Sequence, residues 1–180
     1  MHGYNGKDLA RSFQTVRANT IKIAEEIPED KYGFRPAEGT RSVAETLAHL
    51  AVATGWPQQI HGDRLMAVNF EMFAGMMQKI AQEEAALKTK TQILQALRTG
   101  GDQFAAFLAA LSDEALADRI AYPAGMQPPD KSRFEMLLSA KEHEMHHRGQ
   151  LMVVERLLGI VPHLTREMQA RMAQAQSQKA

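Results

Sequence analysis

Apolar residues recur along most of this chain every three or four positions, the spacing of one face of an α-helix. Phe13, Val16, Ile23 and Ile27 follow it, and Pro28 comes next, so a first helix is predicted from Lys7 to Ile27. A second opens at Ser42-Val43-Ala44-Glu45. That is a capping box, in which the serine oxygen takes an exposed backbone N–H and the glutamate reaches back to the cap. Val43, Leu47, Leu50 and Ala51 form its apolar face, and Trp56-Pro57 should bend or end it. A third is predicted from Thr91 to Leu111 on Ile93, Leu94, Leu97, Phe104, Phe107 and Leu108, with a kink at Gly100-Gly101. The fourth opens with another capping box, Ser132-Arg133-Phe134-Glu135, and should end near Gly159 as a left-handed cap.

The segments between are less regular. The loop PEDKYGFRPAEGT carries Tyr32, Phe34 and Pro36 and is expected to fold back onto the core. The Met-rich stretch from Leu65 to Leu87 reads as partly helical, and AYPAGMQPPDK as a loop. From Thr165 the chain is a Met-, Gln- and Ala-rich tail, amphipathic or frayed. No alternating strand of useful length and no internal repeat stand out. Four main helices in about 160 residues predict an all-α fold, a helical bundle. Residues 1–163 are read as one metal-binding bundle, and 164–180 as a helical or frayed tail of the same domain.

Composition narrows the function. The 180 residues suffice for one sizeable core. Lys plus Arg and Asp plus Glu are 21 each, so a neutral chain offers no electrostatic footprint for nucleic acid. No run approaches the ~20 apolar residues of a membrane span. The start lacks the basic-then-apolar order of a signal peptide. There is no cysteine, which removes disulfides, thiolate ligands and a cysteine nucleophile together. A cytoplasmic location is the expectation, although a cysteine-free chain suits any compartment.

Candidate chemistry concentrates at residues 141–150, KEHEMHHRGQ. On a helix His143 and His147 lie about 40° apart. Met136, Ala140, Leu151, Val154, Leu157 and Leu158 fall within roughly 80° of His143, so both histidines point into the bundle. One histidine on an apolar face is commonly a core residue bonded to a carbonyl. Two imidazoles stacked one turn apart are costly unless something bridges them, as a divalent metal does. The pair alone leaves both readings open.

A third ligand must come from another helix. His2 is terminal, His61 follows the Trp-Pro break and His163 follows Pro162, whereas His49 is mid-helix beside the apolar stripe. Three histidines from two helices leave a coordination position open, the layout of catalytic zinc.

The same stretch also fits H-E-x-x-H, the zinc-protease signature. The extended metzincin form fails, because Gln150 and Val153 stand where glycine and histidine are required. Glu167 could serve by spacing as a third ligand, but no edge strand is evident to align a peptide.

The second-helix run Ser42-Val43-Ala44-Glu45-Thr46-Leu47-Ala48-His49-Leu50 and the fourth-helix run His143-Glu144-Met145-His146-His147-Arg148-Gly149-Gln150-Leu151 together resemble the DinB/YfiT-like superfamily of four-helix-bundle metalloenzymes. The resemblance extends from the first helix to about Gly159. It implies an up-down-down-up bundle, often a homodimer, with a metal at a central pocket. It implies His49, His143 and His147 as ligands, zinc or nickel as occupant, and His146 outside the ligand set. Characterised relatives include thiol-dependent transferases and isomerases, in which the metal activates the sulfur of a small thiol.

Two functional classes follow. The first is a metal-dependent enzyme of thiol-transferase, isomerase or hydrolase type acting on a small molecule. Without cysteine, any thiol must be an external low-molecular-weight one. Glu144 is a weak candidate base, about 100° round the helix from His143 and expected to face outward. Gln150, about 20° from His143, is the better candidate for a supporting or pocket role. Arg148 is expected to pair with a carboxylate at a helix seam. The alternative class is a non-catalytic metal-binding, stress-response protein.

Overall fold

The computed structural model describes residues 3–178, so His2 lies outside the described residues. In chain order the helices are α1 (Gly6–Glu26), α2 (Val43–Val52), α3 (Gly55–Gly62), α4 (Phe70–Ala86), α5 (Lys90–Ala109), α6 (Asp113–Ala117), α7 (Arg133–Leu157) and α8 (His163–Ser177). A 3-10 turn, Glu29–Lys31, follows α1. Both predicted capping boxes form, Ser42 with Glu45 on α2 and Ser132 with Glu135 on α7. Gly159 takes a φ of 78° just past α7, where a left-handed residue ends the helix. Pro57 falls in the first turn of α3, where a missing N–H costs nothing.

Long α1, α5 and α7 and short α2 make the bundle. α1 packs on α5 and α7, and α2 packs on the same two, so α1 and α2 are diagonal partners. Contacts along the chain give the directions. Gly6 meets Leu108 whereas Lys90 meets Glu25, so α1 and α5 are antiparallel. Tyr4 meets Phe134 and Arg17 meets Glu144, so α1 and α7 are parallel. Val43 shares a cavity wall with Leu151 and Val154, while His49 meets His143, so α2 and α7 are antiparallel. The bundle is therefore up-down-down-up.

Phe13 stands edge-on to Phe104, ring centroids 4.9 Å apart, at one end of the core. Ile23, Leu47, Leu50, Ile93, Leu97 and Leu151 fill the other. The loop after α1 does fold back: Tyr32 is buried and its hydroxyl donates to the Ala24 carbonyl. Pro36 stays at the surface.

Several expectations need correction. Gly100 and Gly101 make no break in α5; they let neighbours approach. A Cβ on Gly101 would lie 2.8 Å from Arg17 Cγ, and one on Gly100 3.2 Å from the Ala51 carbonyl oxygen. The AYPAGMQPPDK segment is bordered by a small hairpin, β1 (Arg119–Ala121) with β2 (Asp130–Ser132), each strand too short to show alternation. The tail helix begins at His163 rather than Thr165, with His163 buried. The Met-rich segment is helical from Phe70 to Ala86, yet no residue of that helix is fully buried. Among the described residues, no helix is long and apolar enough to cross a membrane.

Candidate functional site

Diagonal packing puts α2 and α7 side by side, and this brings His49 to His143 and His147. The three Nε2 atoms converge: His49 to His143 is 3.0 Å, and His143 to His147 is 3.2 Å. His147 is buried and the other two are half-buried. The outer ring nitrogens have partners of their own. His49 Nδ1–H donates to Glu84 Oε1 at 2.6 Å, and His147 Nδ1–H donates to Gln150 Oε1 at 2.8 Å. Acceptors behind metal-binding imidazoles typically fix the tautomer this way. Gln150 Nε2 also donates to His146 Nε2, tying the exposed fourth histidine to the edge of the cluster.

Burial lowers the His143 pKa to about 4, helped by His147, His49, His146 and Arg41. Burial lowers that of His147 too, with the Gln150 bond working in the opposite direction. Both rings are therefore neutral near pH 7, the state in which imidazole donates a lone pair. The cluster could hold one metal ion.

The triad opens on two sides. A cavity of about 440 Å³ has His49 and His143 in its wall, with Leu50, Trp56, Ile60 and Phe73 among the apolar lining. A second, of about 330 Å³, is bordered by Arg41, Thr46, His147 and Gln150.

Glu144 does not face outward. It is 1% exposed, and both its oxygens accept from Arg17 Nε, at 2.8 and 3.0 Å. The turn of about 100° from His143 aims it at α1, not at solvent. Arg17 donates onward to the carbonyls of Leu97 and Leu50, so one buried guanidinium ties α1, α2, α5 and α7 together. A carboxylate so engaged is poorly placed to act as a general base. Glu167, the spacing-based third ligand of a protease site, pairs with Lys22 at the surface instead. Arg148 makes no ion pair among the described residues, and its Nε is buried without a partner.

Glu84 and Arg17 were missed by sequence reasoning. Glu84 sits in an ordinary acidic helix run, QEEAAL, with nothing to mark it. Arg17 falls among apolar positions of the first helix, and a charge on such a face does ask for a buried partner.

YjoA of Bacillus subtilis (strain 168), an uncharacterised protein, is 27% identical over 158 residues, 84% of this chain and 89% of its own length. The YjoA crystal structure, that of a DinB-like protein, aligns with a TM-score of 0.63 at 25% identity, covering 84% of this chain and 91% of that one. A DinB-family structure from Exiguobacterium sibiricum 255-15 aligns with a TM-score of 0.62 at 23% identity, covering 88% and 94%. YfiT from Bacillus subtilis, described as a probable metal-dependent hydrolase with an unusual four-helix bundle topology, aligns with a TM-score of 0.68 at 13% identity, covering 89% and 91%. The last two likenesses are of fold. Residues 12–151 match the sequence profile of the DinB superfamily, and the chain belongs to that superfamily.

Proposed function

We propose that this protein is a metal-dependent enzyme acting on a small molecule, with a divalent ion, zinc or nickel, held by His49, His143 and His147. The observation that carries this reading is the convergence of three imidazole nitrogens from two helices, His49 Nε2 and His147 Nε2 lying 3.0 and 3.2 Å from His143 Nε2, while the outer nitrogens of His49 and His147 are already bonded to Glu84 and Gln150. A single cation among them satisfies all three.

Bound there, a divalent ion would lower the pKa of a water or an external thiol and so supply a nucleophile at neutral pH. The chain does the rest. Glu84 and Gln150 hold two of the rings in orientation. The apolar wall beside His49 and His143 receives the substrate and excludes bulk water. Arg17 keeps Glu144 fixed, so that residue acts as a strut. The reaction class is hydrolysis of, or thiol transfer to, a small electrophile. The description of YfiT as a hydrolase supports the first option, and the resemblance on the histidine runs supports the second.

The test is metal content of protein loaded with zinc or nickel, read by mass spectrometry beside helicity by circular dichroism. His49→Ala, His143→Ala and His147→Ala should each lose the metal with helicity nearly intact, while His146→Ala keeps it. Glu84→Gln should weaken affinity about 10- to 100-fold, the usual effect of removing a supporting carboxylate. Full occupancy in His49→Ala, or equal losses in His146→Ala and His147→Ala, would remove the site. The loaded protein is then screened for hydrolysis and for thiol transfer.

A further inference from the structure

The larger cavity has a polar group that the metal reading does not use. His61 on α3 is 2% exposed and lies in the cavity wall. Arg133, itself 1% exposed, donates from one terminal nitrogen to His61 Nδ1 at 3.0 Å. The guanidinium has only donors, so His61 Nδ1 must be the acceptor and its single ring proton sits on Nε2. Arg133 is held in that attitude by the Ala115 and Leu65 carbonyls and by Asp118. Burial, and then the adjacent Arg133 charge, lowers the His61 pKa to about 4, so the ring stays neutral near pH 7. Nε2 meets no protein acceptor among the described residues, and it is not among the sealed unpartnered atoms. The ring lines the cavity, and Nε2–H is its one donor without a protein partner among the described residues.

The remaining wall defines what that donor can meet. Trp56, Ile60, Phe73, Met76 and Met136 make it mostly apolar, with Thr54, Tyr122 and Ser139 also in the lining. Its two charged residues, Arg17 and Glu144, are spent on each other. Without a bound metal, nothing there offers a free cation to an anion. We propose that the cavity binds an uncharged, largely apolar small molecule carrying one carbonyl- or ether-type oxygen, and that His61 Nε2–H donates to that oxygen. The other end of the ligand then lies toward His49 and His143; only that orientation rests on the metal reading. A site built around a buried donor discriminates against ligands that leave it unpaired.

The probes are acetophenone, its acceptor-free near-isostere isopropylbenzene, and benzoate, titrated by protein NMR. Wild type, His61→Phe and His61→Gln are compared, each after metal removal by chelation. Phenylalanine keeps a ring but lacks the donor. Glutamine can accept from Arg133 and still donate. The acetophenone-to-isopropylbenzene affinity ratio should fall roughly fivefold in His61→Phe, the worth of one net hydrogen bond, and return in His61→Gln. In wild type, benzoate should bind more weakly than acetophenone. An unchanged ratio in His61→Phe, or tighter binding of benzoate, overturns the proposal. If His61→Phe fails to fold, the benzoate comparison and the ratio in His61→Gln still decide; a ratio lost in folded His61→Gln also overturns it. Chelated protein separates this from the metal reading, which fails or stands on metal content alone.

Discussion

Two glutamates on α7, about three turns apart, are equally hidden and opposite in circumstance. Glu144 is 1% exposed and Glu155 is 0% exposed. Both oxygens of Glu144 rest on Arg17, whereas neither oxygen of Glu155 has a hydrogen-bond partner. Beside Glu155 stands another carboxylate, Glu26, which is already bonded to Arg166 at 2.6 Å. Burial first, and Glu26 second, push the Glu155 pKa up to about 7, and Arg166 and Arg156 only partly oppose this. Position on the helix buries a glutamate; the facing helix decides whether it becomes a strut or a group poised to take a proton. In the middle of α7 the strut lies next in sequence to His143, so the element that fixes α1 against α7 also fixes the histidine face.

The largest effect should come from making Glu144 resemble Glu155. Arg17→Ala leaves Glu144 buried without a counter-ion and should cost about 3–5 kcal/mol, as breaking a buried pair usually does. Equilibrium denaturation in urea measures it. Replacing both partners by apolar residues, Arg17→Met with Glu144→Leu, should recover most of that loss, because no charge is then stranded. A loss below 1 kcal/mol in Arg17→Ala would mean that the ion pair does not hold the helices.

The next effect should come from relieving Glu155. Its pKa is about 7 in the folded chain against an ordinary value of 4.5. A raised carboxylate pKa means the folded state holds the proton more tightly. Below pH 4.5 the group is protonated folded or unfolded and costs nothing; above pH 7 it is charged in both, and the burial cost is complete. The wild type therefore gains stability from this group as pH falls from 7 toward 4.5. Glu155→Gln has no such slope, so it should be more stable than wild type by roughly 3 kcal/mol at pH 8, a difference that vanishes near pH 4.5. His61 works in the other direction over an overlapping range, because its lowered pKa makes stability fall as pH drops from 6.5 to about 4. Comparing variant with wild type at each pH cancels it. A constant difference across the range would assign Glu155 a role other than a buried titrating group.

The histidine face was legible in the sequence because it depends only on helix geometry. The apolar stripe from Met136 to Leu158 turns α7 roughly the right way, although Leu157 is exposed and the buried face extends to Leu137, Glu144 and Glu155, and serine followed three places on by glutamate starts α2 and α7 on the right residues. What was hidden depends on partners far along the chain. Arg17 and Glu144 are separated by 127 positions, and Glu84 reaches His49 across 35. Helical angle alone shows that Glu144 departs from the histidine face, but only the position of α1 shows that it is buried there. Gly100-Gly101 misled for the same reason: a glycine pair in a helix looks like weakness until the neighbour that needs the space is known. Glu155 resisted for a different reason, since a glutamate beside Val154 and Arg156 looks solvated until Glu26 of α1 and Arg166 of α8 are brought near it.

The smallest expected effect is also the one that separates the two meanings of H-E-x-x-H. Glu144→Gln keeps the shape of the side chain and removes the charge. Its carbonyl oxygen can still accept from Arg17 Nε, but the buried guanidinium loses its counter-charge; because Arg17 keeps the Leu50 and Leu97 carbonyls as acceptors, stability should fall by about 1–3 kcal/mol, less than in Arg17→Ala. Metal content should not change, because none of the three converging imidazoles is bonded to Glu144. Any hydrolytic or thiol-transfer rate should change only modestly, through a slight loosening of α1 against α7. A protease helix requires the opposite. There the glutamate is the base on the metal-bound water, and the glutamine variant would keep its metal and lose its activity. Urea denaturation, metal analysis and peptide cleavage on one preparation of the variant decide between them. Metal-dependent peptide cleavage that disappears in Glu144→Gln would turn the strut back into a catalytic base, and the likeness between Glu144 and the glutamate of a zinc protease would then be one of mechanism as well as spelling.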